Sequence, residues 1–431
     1  MSIYTSSVSM ALLIAMIGLL IYLQSKQVKF NHRVFLSLVL GVILGFVSQL
    51  LGDASDNVTN QSLNFIGNGY FALLKMLVVP LILTSIIHSI LNIGDASGKI
   101  LRALSIRSVA MLLGMTALAS GIAIAVGLWF HVGQGLQLPT DSIVPTHHYT
   151  GFVDTLLGMI PSNPVAAMSN ENTVAIVLFA VLLGVSAMLI YRQQQEKVES
   201  FRSFISAAFE VVKQLTRLVL AITPYGVLAL IAHVTATQGI ASLEAILNFI
   251  AAMYVAMVLV LVMHLLILML RGVKPWHYLA NAYPALLVAF TTRSSFGTLP
   301  VTEEILKNRF NLRQVTSTFV PSVGATLGMN ACAGIFPAML VVMVMTIMHL
   351  PIHFNTVIAI MMINMVASLG ISGIPGTAFV AATVSLSALG LPYAIIGLVQ
   401  GVDAVVDMGR TATNVNGVMT TAIVVDGSIK T

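Results

Sequence analysis

Five polar side chains interrupt the last apolar stretch of this 431-residue chain, about residues 394–425: Asp403, Asp407, Arg410, Thr411 and Asn414. At 3.6 residues per turn they fall within roughly 100° of arc, so a helix here carries one polar stripe. Each charge in a lipid-embedded helix costs at least ~2.5–3.5 kcal/mol, and groups bearing that cost usually line a path for a solute or ion. An Asp407–Arg410 pair welding two helices together accounts for two of the five. It leaves a second acid and an amide on the same face unexplained. The stripe is therefore expected to hold a polar solute inside a membrane.

The elements around the stripe follow from composition. With 58% hydrophobic residues, 8% charged residues and a mean hydropathy of +0.97, the chain reads as an all-α polytopic membrane protein. Its net charge of +5 is not a nucleic-acid signature, because the basic residues stand in short loops between apolar segments. One cysteine, Cys332, excludes an intramolecular disulfide and a cysteine-based metal cluster. The apolar run Val8–Leu23 lacks a basic region before it, which favours an uncleaved first helix over a signal peptide.

About nine spans are expected, near residues 8–24, 34–51, 63–92, 103–131, 173–191, 204–235, 243–270, 314–347 and 391–424. Two further stretches, about 279–306 and 357–388, are broken by Gly, Ser and Pro. The loops 1–7, 52–62, 132–172, 236–242 and 348–356 contain no Lys or Arg, whereas the opposite loops collect the basic residues from Lys26 to Lys430. This asymmetry puts the N-terminus outside and the C-terminus in the cytoplasm. It also makes each broken stretch enter and leave on one side, as a re-entrant hairpin. The first, tipped by Thr291–Pro300, enters from inside; the second, tipped by Ser368–Gly376, enters from outside. Non-helical backbone at membrane depth is tolerated only where it lines a cavity or is buried in protein. Each hairpin precedes a helix polar near its middle, Ser322–Asn330 in one case and Asp403–Asn414 in the other. That inverted repeat is a pattern of secondary transporters.

With TTRSSFGTLPVT, VGATLGMNACA, SLGISGIPG and VDMGRTATNVNG in this order, the chain resembles the glutamate-transporter-homologue family, the dicarboxylate/amino acid:cation symporters. The likeness covers nearly everything after Val34. It implies a homotrimer in which a static scaffold carries a mobile transport domain that works as an elevator. By this likeness residues 1–30 form an added N-terminal helix. Residues 31–98 and 133–241 form the scaffold, and 99–132 and 242–431 the transport domain. It assigns Asp407 to a substrate ammonium, Asn414 with Ser294 and Ser295 to the α-carboxylate, and Arg410 to a side-chain acceptor. Cys332, Ile374 and Thr411 are the remaining substrate positions. Elementary chemistry agrees, since a zwitterion needs an anion for its ammonium and neutral donors for its carboxylate.

The departures from the family pattern matter as much. Where sodium-coupled amino acid members read Asn-Met-Asp-Gly-Thr, this chain has Gly328-Met-Asn-Ala-Cys332, and Val418 replaces a later family aspartate. Two of the family's three sodium sites depend on those residues. The third, formed by main-chain carbonyls of Thr326, Ser368, Leu369 and Ile371 with the sulfur of Met329, can persist. Loss of both acids resembles the cystine-uptake branch. That branch implies L-cystine as substrate, the bacterial cytoplasmic (inner) membrane as location, a coupling sodium ion or proton, and no cofactor. Asp403 and Asp407 are the candidate proton carriers. The alternative substrates are C4-dicarboxylates or acidic amino acids. A remote alternative is an intramembrane hydrolase using Ser294 or Ser295, for which no histidine near the last helix supplies a base. Gly94–Lys99 is one residue short of a phosphate loop. His147 and His148 read as solvated, the sequons at Asn57 and Asn60 matter only in a glycosylating host, and Lys75 can snorkel.

Overall fold

The computed structural model describes residues 2–50, 58–94, 99–136, 162–170, 173–238, 240–370, 378–392 and 394–427. Among these the chain is helical, with no strand. Its first four helices are α1 (Ser2–Ser25), α2 (Phe30–Leu50), α3 (Val58–Met76) and α4 (Val78–Gly94). They are followed by α5 (Lys99–Trp129), the short α6 (Pro164–Ser169), α7 (Thr173–Gln193), α8 (Gln195–Ala221), α9 (Thr223–Gln238) and α10 (Ile240–Met269). Among the described residues seven helical stretches are long and apolar enough to cross a membrane, and the pair α8–α9, bent by 49°, makes an eighth if it is one span.

Prolines accompany two interruptions inside stretches expected to be single spans. The 63–92 stretch breaks at Leu77, with Pro80 just inside α4. The 204–235 stretch bends at Ile222, with Pro224 just inside α9. A proline ring clashes with the carbonyl four residues back and donates nothing to it.

The first expected hairpin is present as α11 (Pro275–Thr292) and α12 (Ser295–Asn308), packed on each other across Arg293–Ser294. Arg293 has φ 58°, the left-handed conformation that ends α11. Ser294 then caps α12, its Oγ accepting from Gly297 N at 3.0 Å. The arms of the second, α15 (Phe354–Ala367) and α16 (Ala378–Ala388), also pack together. Residues 371–377 of its tip, Ile371 and Ile374 among them, lie outside the described residues, as do His147, His148 and Asn57.

Two segments expected as continuous helices are interrupted. The 314–347 stretch forms α13 (Gln314–Gly324), a loop, one π-helical turn (Asn330–Ile335) and α14 (Phe336–Ile347). Gly328 stands in the loop at φ 69°, and a Cβ there would run into Leu112 of α5, so no other residue fits. Pro337 has no N–H to give, and Phe336 N bonds Ala331 O in the wider π register. The 391–424 stretch splits into α17 (Ile395–Gln400) and α18 (Asp403–Asp426) at Gly401, where a side chain would collide with Ile231 of α9. The break places Asp403 in the first turn of α18, where the helix dipole favours an acid.

Three apolar clusters organise these helices. One joins α1, α2, α3 and α9 around Leu13, Leu44, Leu63 and Leu228. Another joins α5, α10, α11, α12, α13 and α18 around Leu112, Leu268, Tyr278 and Met419. The largest fills the middle of the protein. The polar stripe of α18 lies where hairpin, π turn and α10 all reach it.

Candidate functional site

All five stripe residues are buried, Arg410 at 0% and Asp407 at 2% exposure. Arg410 Nη2 donates to Asp403 Oδ1 and, at 3.0 Å, to Asp407 Oδ1. From the first hairpin tip, Arg293 Nε donates to the other oxygen of Asp407 at 3.1 Å. Two carboxylates thus face two guanidinium groups, and the cluster is neutral in sum. Buried charges persist only when paired in this way. The Arg410 guanidinium lies 4.3 Å from the ring centre of Phe336, the first residue of α14. Among the described residues its Nε and Nη1 have no partner. A buried guanidinium edge left unbonded is costly, so it marks where an acceptor can enter.

Asn414, one helical turn beyond Arg410, is held by the π turn. Its Oδ1 accepts from Ala331 N at 2.8 Å and Cys332 N at 3.4 Å, and its Nδ2 donates to Cys332 Sγ at 3.0 Å. Cys332 and Asn414, both candidate substrate positions, therefore touch. Thr411 is buried beside them on α18. Ser295 is buried at the start of α12, and Ser294 caps that helix. The Arg293–Asp407 bond draws the hairpin tip to the stripe. Of the candidates for the main-chain cation site, Ile371 lies outside the described residues. Gly328 N donates to Ser368 O at 3.3 Å, which joins the loop holding Thr326 and Met329 to the end of α15. Leu369 follows in a single 3-10 turn, Ser368–Gly370.

Several residues of this region were not singled out from sequence. Arg293 stands inside the quoted hairpin motif, and its signal was a lone arginine at a re-entrant tip. His264 interrupts a window, Glu244–Met269, of hydropathy 2.6, and it is fully buried. Its Nε2 lies 3.0 Å from Asn330 Oδ1, and its Nδ1 lies 2.8 Å from Asn416 Nδ2 on α18. A histidine thus does stand against the last helix, contrary to the expectation from sequence, brought there from a position 152 residues away. Tyr278 donates to Asn416 Oδ1 at 2.6 Å. Asn330 donates onward to Thr116 Oγ1 at 3.0 Å and Gly328 O at 3.1 Å. Asn330 is thus tied into a chain of hydrogen bonds.

A chain helical throughout its described residues, with seven stretches there long and apolar enough to cross a membrane and a buried charged cluster, is consistent with a polytopic membrane transporter. A profile of the sodium:dicarboxylate symporter family matches residues 30–428, and the chain belongs to that family. It is similar to proteins named L-cystine uptake protein TcyP. The protein from Bacillus cereus is 34% identical over 432 residues, covering 97% of this chain and 93% of the relative. That from Bacillus licheniformis is 33% identical over 441 residues, covering 97% and 94%. That from Shouchella clausii is 32% identical over 447 residues, covering 98% and 94%. Members of this family are transporters, which removes the ground for a hydrolase built on Ser294 or Ser295.

Proposed function

We propose that this protein is a secondary active symporter that imports L-cystine, or a closely related amino acid, across the bacterial inner membrane. The observation that carries the reading is the buried set Asp407, Arg410 and Asn414, held against a hairpin tip and a π turn. A substrate ammonium would replace guanidinium contacts on Asp407. The α-carboxylate would meet Asn414 and the serines at 294 and 295, and the free edge of Arg410 would take a carboxylate of the distal half. Thr411 and Cys332 would line the same pocket, with Ile374 from the second hairpin. The likeness to cystine uptake proteins favours cystine. The runner-up is a C4-dicarboxylate or acidic amino acid, favoured by two arginines at one site.

Transport would follow an elevator course, with the domain of residues 99–132 and 242–431 moving against a scaffold of 31–98 and 133–241. Residues 1–30 would form an added helix, and the whole would be a homotrimer. The packing of α5 with α10, α13, α14, α15 and α18 supports that partition. The 14 residues of α15 and 11 of α16 are too short to span a membrane as helices, which supports a hairpin that enters and returns. The remaining spans, about nine, would place the N-terminus outside and the C-terminus inside. The driving ion would be a proton or a sodium ion. One sodium could lie among carbonyls of Thr326, Ser368, Leu369 and Ile371 beside Met329, and Asp403 or Asp407 could take a proton.

The test is binding of cystine, aspartate and succinate to the purified protein, each with and without sodium, followed by uptake into proteoliposomes. Tight cystine binding with accumulation against a gradient supports the reading. Preference for succinate or aspartate replaces it with the runner-up.

A further inference from the structure

The charged cluster on α18 is already balanced, with two acids on two arginines. Outside that balance, His264 is the buried group of this region whose ordinary range of titration lies near neutrality. Its surroundings define its proton. Asn330 spends its amide hydrogens on Leu112 O, Thr116 Oγ1 and Gly328 O, so its Oδ1 faces the ring and Nε2 must carry a hydrogen. Asn416 receives the Tyr278 hydroxyl on Oδ1, so its amide nitrogen faces the ring and Nδ1 must be the lone pair. With these partners the imidazole is neutral.

The geometry points to His264 as a proton-binding site for coupled transport, with Asn416 as the group that adapts to the proton. This rests on the transport reading above. A proton from outside water would add to the Nδ1 lone pair. Rotation of the Asn416 amide by half a turn would then bring Oδ1 to the new N–H and Nδ2 to the Tyr278 oxygen. Tyr278, 3.4 Å from the Asn416 carbonyl, can turn its hydroxyl hydrogen there. The facing groups of His264, Asn416 and Tyr278 would be matched, donor to acceptor, in both states. A histidine locked for packing alone needs only one satisfied arrangement.

The elements packed against α10 supply no bonded charge to the ring among the described residues. On α18, Asp403, Asp407 and Arg410 lie on the far side of Asn416, Arg410 some ~9 Å along the axis, and Asp426 lies ~15 Å the other way. Tyr278 comes from α11, Cys332 from the π turn, His233 from α9 and Arg107 from the distal part of α5. The missing counter-charge would be the substrate's own carboxylate. Asn414, its assigned partner, is bonded to Ala331, the residue after Asn330. A carboxylate there would favour the imidazolium, and the imidazolium would favour the carboxylate, each by the same factor. Release of the substrate to the cytoplasm would return the proton to water on that side.

The experiment uses the full chain in liposomes without sodium. Exchange of labelled cystine is measured at equal pH on both sides, and net uptake under an outside-acid gradient. The wild type is expected to show both activities. His264→Gln and Asn416→Leu should retain exchange but lose stimulation by the pH gradient, because substrate can still load while the proton cannot. An exchanging variant that keeps full stimulation overturns the proposal, as does a wild type that exchanges cystine with no response to the gradient. Should neither variant fold, calorimetry of cystine binding to wild type in buffers of different ionisation enthalpy decides. Absence of proton uptake overturns the site, and uptake of up to about one proton per cystine that persists in Asp403→Asn supports it. Failure of the wild type to exchange cystine at any pH strikes the transport reading itself.

Discussion

At the scale of the residue, Asp407 accepts from two arginines on two elements, α18 and the hairpin tip. Asp407→Asn leaves Arg293 and Arg410 short of charge and removes the partner proposed for an ammonium. Substrate affinity should fall by ~3–5 kcal/mol, more than a hundredfold. Equilibrium binding to the purified variant checks this, and near-normal affinity removes Asp407 from the site. Arg410 should act on selectivity. Its unbonded Nε and Nη1 point to an acceptor beyond the zwitterion core. Arg410→Ala is expected to weaken cystine and aspartate about tenfold, ~1.4 kcal/mol, relative to small neutral amino acids such as serine. Competition against labelled substrate reads the ratio, and equal weakening of every amino acid would mean that Arg410 chiefly neutralises Asp403 and Asp407.

At the scale of the element, the broken helices matter more than the continuous ones. Gly328 lets the chain leave α13 in a left-handed turn while α5 passes close by, and Gly328 N ties this loop to Ser368 at the second hairpin. Gly328→Ala would impose both strain and overlap. It should cost ~1–3 kcal/mol of stability, seen as a lower unfolding temperature in detergent, and weaken any cation held near Met329. A variant as stable as wild type would show that α5 can move aside. The first hairpin also touches its surroundings through cations on aromatic rings. Arg293 lies over Phe30 of α2 at 5.9 Å, and Lys213 of α8 over Phe296 at 5.2 Å. The second crosses between the parts proposed to slide, so Phe296→Ala should alter transport rate while leaving binding affinity within about twofold, an exposed contact of this kind being worth ~0.5–1 kcal/mol. Binding and uptake measured on the same preparation separate the two.

At the scale of the whole molecule, coupling should be light in sodium. Asn330 is engaged with His264, Thr116, Leu112 and Gly328, and Val418 offers no oxygen side chain. Neutral oxygen ligands compensate poorly for dehydration of a cation. At most about one sodium per substrate is expected. The check is uptake into liposomes under an imposed sodium gradient or an imposed pH gradient, one at a time. A steep, cooperative sodium response would mean that other residues replace the missing acids.

The apolar composition, the asymmetric Lys and Arg, and the polar period on residues 403–414 were legible in the chain, because each is a local pattern. Lipid solvation, translocation and helical repeat act on neighbouring residues without reference to the rest of the fold. The first hairpin was legible for the same reason, its Arg293–Ser294 turn lying within a run of Thr, Ser and Gly. The breaks at Gly328 and Gly401 were hidden, since Gly328 meets the backbone of distant α5 and Gly401 the side chain of Ile231 on distant α9. Pairing was equally out of reach. Arg293 and Asp407 are 114 positions apart, and His264 meets partners 66 and 152 positions away. Which buried polar groups satisfy one another depends on the docking of whole helices, and only the assembled protein decides it.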